Sequence, residues 1–138
     1  MHEILSLQDW AKEYARHRYR SRGTAFEFTQ QTGMAFVIKT ATKTEGYIIV
    51  DNLAQAKIPD SDMNVVLVTK NTQANAQALA EHWKTFSASA KLWIIFANPA
   101  SSNDKYWSIN PYLHSQIADE ATLKTGLLSM AGSVEWVN

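Results

Sequence analysis

The chain has 138 residues, 46% of them hydrophobic and 19% charged, with 13 basic and 13 acidic side chains and no cysteine. That length and balance exclude a disordered polymer and set one domain over residues 1–138 with a core of its own. Zero net charge argues against global attraction to nucleic acid or membrane, and the missing cysteines exclude disulfides, thiolate metal sites and cysteine nucleophiles.

The N-terminal stretch lacks a basic segment followed by a long apolar one, so no secretory signal is expected. The longest apolar run, Leu92 to Ala97, is far too short for a bilayer, and a soluble, cytoplasmic protein is the expectation. The charge is unevenly placed. Between Lys12 and Arg22 lie five of the 13 basic residues against one acid, Glu13.

The first predicted element is a helix from about Leu7 to Arg22. Ser6 can cap it, Asp9 suits the positive end of its dipole, and Leu5 and Trp10 stand at the staple positions. Leu7, Trp10, Ala11 and Tyr14 form its apolar face, and Gly23 ends it. Three strand-like segments follow: Thr24 to Gln30, Met34 to Thr40, and Gly46 to Val50. Turns at Gln31–Gly33 and Thr42–Glu45 separate them, which reads as an antiparallel meander. Asp51 to Met63 is expected to be mostly loop.

Val65–Val68 and Leu92–Phe96 are continuous apolar runs, as expected of strands covered on both faces. Between them Thr72 to Phe86 carries Ala76, Leu79, Ala80 and Trp83 at helical spacing. Strand, helix and strand make a βαβ unit with parallel strands. After a polar loop, Lys105 to Ile109 reads as a short strand, and one or two helices fill Pro111 to Met130, with Asp119 a cap and Gly126 a weak point. The tail, Val134 to Asn138, alternates like a strand that adds to the sheet or pairs with a neighbour's edge, which would make a homodimer. The fold class is therefore α/β (α+β), with helices packed on one mixed sheet.

Lys12, Arg16 and Arg20 form one row on the first helix, away from its apolar face, whereas Arg18 and Arg22 fall on the apolar side near the helix end. With Tyr14, His17 and Tyr19 interleaved, this surface suits phosphate binding and base stacking; a plain solvated helix is the alternative. A second candidate is the polar-aromatic segment holding Asp104, Trp107 and His114, placed after a central strand where α/β folds carry small-molecule sites. Loop packing and helix capping account for the same residues.

No Walker A, GxGxxG or GxSxG sequence occurs, and His2, His17, His82 and His114 lack metal-ligand spacing, so no metal site is expected from histidine. Asp60-Ser61-Asp62 could meet a cation but reads as a solvated loop.

The element order resembles the PD-(D/E)xK nuclease superfamily, especially the small archaeal Holliday-junction resolvases, over roughly residues 6–98. The resemblance implies Mg²⁺ held by an acid on one core strand and by an acid-x-Lys on the next. Taking Asn64 to Lys70 as that next strand, Lys70 matches the lysine and Val68 stands where the acid should be. Asp51 is the nearest match to the earlier acid, with Asp60 and Asp62 further along. The implied protein binds nucleic acid with a nuclease-like architecture and an absent or altered hydrolytic site, and needs Mg²⁺ only if that site works. Lys12, Arg16, Arg18, Arg20, Arg22 and Lys70 are the expected nucleic-acid contacts; a homo-oligomeric interaction module and a small-molecule enzyme are the rivals.

Overall fold

A computed structural model describes residues 6–59, 63–117 and 119–137. The first helix, α1 (Leu7–Ser21), starts where the Ser6 hydroxyl accepts the Asp9 amide at 3.1 Å. It ends before Gly23, whose φ of +66° suits a residue without a side chain. Its buried stripe is Trp10, Ala11, Ala15 and Tyr19.

The meander forms as β1 (Glu27–Thr29), β2 (Phe36–Lys39) and β3 (Thr44–Ile49), paired antiparallel in sequence. Gly33, at φ +86°, turns the chain between the first two strands. The second turn falls earlier than the expected Thr42–Glu45. The Thr40 hydroxyl accepts the Thr42 and Lys43 amides, which closes the turn within residues 40–43 and releases Thr44 and Glu45 into β3.

β3 pairs parallel with β4 (Asn64–Lys70), and β4 pairs parallel with β5 (Leu92–Ala97). Parallel neighbours need a crossover. For β4 and β5 it is helical, as expected. For β3 and β4 the described part of the connection, residues 50–59 and 63, holds a 3₁₀ turn at Leu53–Gln55 and no longer helix. The helix expected across Thr72–Phe86 is two helices, α2 (Gln73–Glu81) and α3 (Trp83–Phe86), because His82 leaves helical geometry at φ −108°, ψ 29°. An antiparallel edge strand, β6 (Tyr106–Ile109), completes a six-stranded sheet whose spatial order is the chain order. Then come α4 (Pro111–Ser115), a 3₁₀ turn and α5 (Leu123–Ala131). The described residues thus make one mixed sheet with helices on both faces, an α/β fold.

Residues 134–137 do not add a strand to this sheet; Val134 is buried and Trp136 packs beside it against the α2–α5 layer, so the alternation serves packing within the chain. The Val137 amide donates to the Asn71 carbonyl at 3.0 Å. Leu5, Asp60, Ser61, Asp62 and His2 lie outside the described residues. Among the described residues no helix is long and apolar enough to cross a membrane.

Two apolar layers result. Leu67, Leu79, Ile94, Phe96 and Leu127 belong to the layer under α2, α3 and α5. Phe36, Ile38, Tyr47, Val66, Val68 and Ile95 belong to the layer under α1.

Candidate functional site

The α1 face of the sheet is only partly covered. Trp93, Ile95, Tyr106 and Ser108 stand on the β5–β6 part of that face; Ile95 is buried, while Trp93 and Tyr106 remain 42% and 43% exposed. Between this part and α1 runs a groove with two adjoining hollows. The first, about 240 Å³, is lined by Tyr14, Arg18 and Arg22 from the helix and by Trp93, Ile95 and Ser108 from the sheet. The second, about 360 Å³, shares Tyr14, Arg18 and Arg22 and adds His17, Ser21 and Tyr106.

Tyr106 and Tyr14 meet edge to face at 5.2 Å, and Trp10 stacks on Tyr14 at 5.5 Å, which fixes the aromatic wall. Burial pushes the Tyr14 hydroxyl above its ordinary range and so keeps it neutral. Arg18 is fixed from below. Its Nη1 lies 3.4 Å from Oε1 of Glu45, a carboxylate only 4% exposed, and the Tyr19 and Tyr47 hydroxyls donate to the same oxygen at 3.2 and 2.9 Å. Burial lowers the pKa of Arg18, but Glu45 together with Tyr14, Tyr47 and Tyr19 outweighs it, and the net direction is upward. Burial, then the Glu45 charge, pushes Tyr19 up to about 12 and Tyr47 up as well. The cluster therefore sets the Arg18 guanidinium over a buried carboxyl group that also accepts two tyrosine hydroxyls.

The basic helix divides between two flanks. On the β1–β2 side Lys12 Nζ lies 5.9 Å from the centre of Phe36, and Arg16 lies 5.0 Å over Phe28 while pairing with Glu13. Arg20 is exposed. On the β5–β6 side Arg18 and Arg22, the two placed on the apolar side by helical spacing, face the groove. Tyr19, expected among the stacking aromatics, is buried instead, because its hydroxyl is needed at Glu45.

Lys70 stands elsewhere, at the end of β4, with Nζ 3.3 Å from the Asp51 carboxylate at the end of β3. The two residues matched to the nuclease pattern are neighbours, but Val68 is buried under α1 and offers no ligand. Among the described residues no three His, Asp or Glu side chains gather. Among the described residues the matched positions do not supply a donor set for Mg²⁺.

The carboxyl ends of the parallel strands, where α/β folds commonly hold ligands, are filled by buried asparagines. Asn75 accepts the Leu53 amide and donates to Asp51, Thr69 and Lys70. Asn71 accepts the Trp107 indole at 2.8 Å and donates to the carbonyls of Ala131, Val134 and Glu135. Asn98 donates to Glu135 and Trp136. Trp107, stacked on Phe96 at 4.3 Å, is thus part of a clasp on the C-terminal segment. Asp104 is exposed before β6, and His114 is in α4 beyond it, edge-on to Trp83 at 5.7 Å. The strand separates those two side chains, and the trio does not converge.

Sequence reasoning missed Trp93, Tyr106, Ser108 and Glu45. Trp93 sits in a run that reads as wholly covered, and Glu45 in a stretch that reads as a turn. No protein-family model, curated protein or solved structure matches the chain.

Proposed function

We propose that the protein binds nucleic acid in the groove between α1 and the β5–β6 edge. The observation that carries this reading is the juxtaposition of Arg18 and Arg22 with the exposed rings of Trp93 and Tyr106. Guanidinium groups hold phosphate oxygens with paired donors, and ring faces accept bases of any identity. Neutral overall charge is compatible with this, since the contact is local. Lys12, Arg16 and Arg20 widen the positive surface across the outer side of α1, and Lys70 lies apart from it beside Asp51. The nuclease-like element order supports the same class of ligand, while buried Val68 leaves hydrolysis without the expected acid.

The test is fluorescence anisotropy with labelled DNA and RNA at two salt concentrations, comparing the wild type with Arg18→Ala/Arg22→Ala. Salt-sensitive binding is expected, with the double variant flattening the slope of log K against log salt by roughly 1.4 for a single strand. Unchanged binding by the double variant would remove the groove from the account.

A second reading, self-association, is favoured by Leu113 and Ile117, which are 55% and 85% exposed in and just after α4. Concentration-dependent mass in sedimentation without any ligand would support it.

A further inference from the structure

The groove carries information about which form of nucleic acid fits. Its two hollows are not independent, since Arg18, Arg22 and Tyr14 line both. The larger opens on Tyr106 and the smaller on Trp93, one ring for each hollow. At about 240 Å³ the smaller hollow is below the roughly 300–1,000 Å³ of sites that enclose a whole drug-sized ligand, which suits a single flat heterocycle. Its floor is apolar, Ile95 and Val66, and the Ser108 hydroxyl at its side can hydrogen-bond a base edge. Each hollow thus has one ring of its own, and the two share a pair of guanidiniums. Two bases and the phosphate that joins them on one strand would meet the same set of groups.

We infer that the groove is a single-strand site in which one unstacked base lies on Trp93, its neighbour lies against Tyr106, and Arg18 and Arg22 grip the phosphate between them. This inference rests on the nucleic-acid reading above and names its ligand. A duplex presents its bases stacked and paired, so seating one on Trp93 would first require its extrusion, at a cost of about a few kcal/mol. A single strand meets no such cost. Glu45 acts here as a positioning residue: it touches no ligand but, held by two tyrosine hydroxyls, fixes where the Arg18 guanidinium stands.

The experiment compares a labelled oligothymidine with the same strand annealed to its complement, and uses thymidine monophosphate as competitor. The proteins are the wild type, Trp93→Ala, Trp93→Phe and Arg22→Ala, each checked for folding by circular dichroism. Trp93 and Arg22 are exposed, so their replacement should leave the fold intact. The single strand should bind at least roughly tenfold tighter than the duplex. Trp93→Ala should weaken single-strand binding roughly 5- to 150-fold without changing its salt slope, and Trp93→Phe should recover most of the loss. Arg22→Ala should flatten the slope instead.

Equal affinity for strand and duplex would overturn the inference, as would normal binding by Trp93→Ala. A mononucleotide that competes as well as the strand would overturn it too, and would make the groove a site for free nucleotides. If the wild type binds and Arg22→Ala weakens it while Trp93→Ala does not, the single-strand inference fails and the nucleic-acid reading stands. If the wild type binds nothing at low salt, both fail.

Discussion

On one face of the sheet α2, α3 and α5 close over Leu67, Ile94 and Phe96, and the asparagine clasp ties the C-terminal segment down beside them. On the other face α1 stands over the meander and β4 with Arg18 and Arg22 along its free flank, while Trp93 and Tyr106 are left in contact with solvent. Both faces are rich in large rings, so composition does not separate them. The difference lies in what the polar groups do. On the closed face the buried asparagines bond to backbone groups and, at Asn71 and Asn75, also to the Trp107 indole and the Thr69 hydroxyl, whereas on the open one the charged groups line a groove. The closed face is built for stability, and the open one is free to serve a ligand.

Substitution should separate the faces most sharply at neighbouring positions of β5. Phe96→Ala, which removes a fully buried ring stacked on Trp107, should cost about 3–5 kcal/mol in urea unfolding, whereas Trp93→Ala should stay within about 0.5 kcal/mol. Similar losses at the two sites would show that the open face is structural as well. Asn71→Ala should come next, on the order of 3 kcal/mol, because it leaves the Trp107 indole and the tail carbonyls without their partner. Hydrogen exchange should show that loss as early opening of residues 131–137 rather than of α1.

On the other face, Glu45→Gln should cost about 1–2 kcal/mol by unpairing a partly exposed Arg18. The same cluster predicts an alkaline limit. Burial first and the Glu45 charge second raise Tyr19 from an ordinary 10.0 to about 12 in the folded state. A group raised on folding stabilises fully below its unfolded pKa and loses that contribution as pH climbs through its folded one. The melting temperature should therefore hold up to about pH 10 and fall towards pH 12, with a shallower fall in Glu45→Gln. Parallel curves for the two proteins would detach Glu45 from the effect. The smallest change is expected at the surface pair of Glu13 and Arg16, where Glu13→Gln should shift stability by under about 0.5 kcal/mol.

How far the sequence could be read follows from which forces act locally. The Ser6 cap, the turns at Gly23 and Gly33, and the apolar runs of β4 and β5 are local signals, and each element formed where expected. The break at His82 was hidden because the stripe of Ala76, Leu79 and Trp83 continues across it. The tail misled because alternating Val134 and Trp136 satisfy a packing surface as well as a strand. The basic helix was legible, but not which of its flanks borders a groove. That depends on β6 being the sheet edge and, among the described residues, on no second helix standing beside α1, a tertiary fact. Glu45 was invisible for a related reason, since its partners Arg18 and Tyr19 come from a helix far off in the chain.

The placement of α1 also bears on how the protein folds. The groove joins a wall made near the start of the chain to a floor made by β5 and β6 in its later part, so it cannot exist before the sheet is nearly complete. Contacts of such long sequence separation carry a large closure entropy and tend to consolidate late. A ligand held between Arg18 and Trp93 would then act as a tether across the last-formed contact. It would slow the undocking of α1 and raise apparent stability by an amount that grows with the logarithm of ligand concentration.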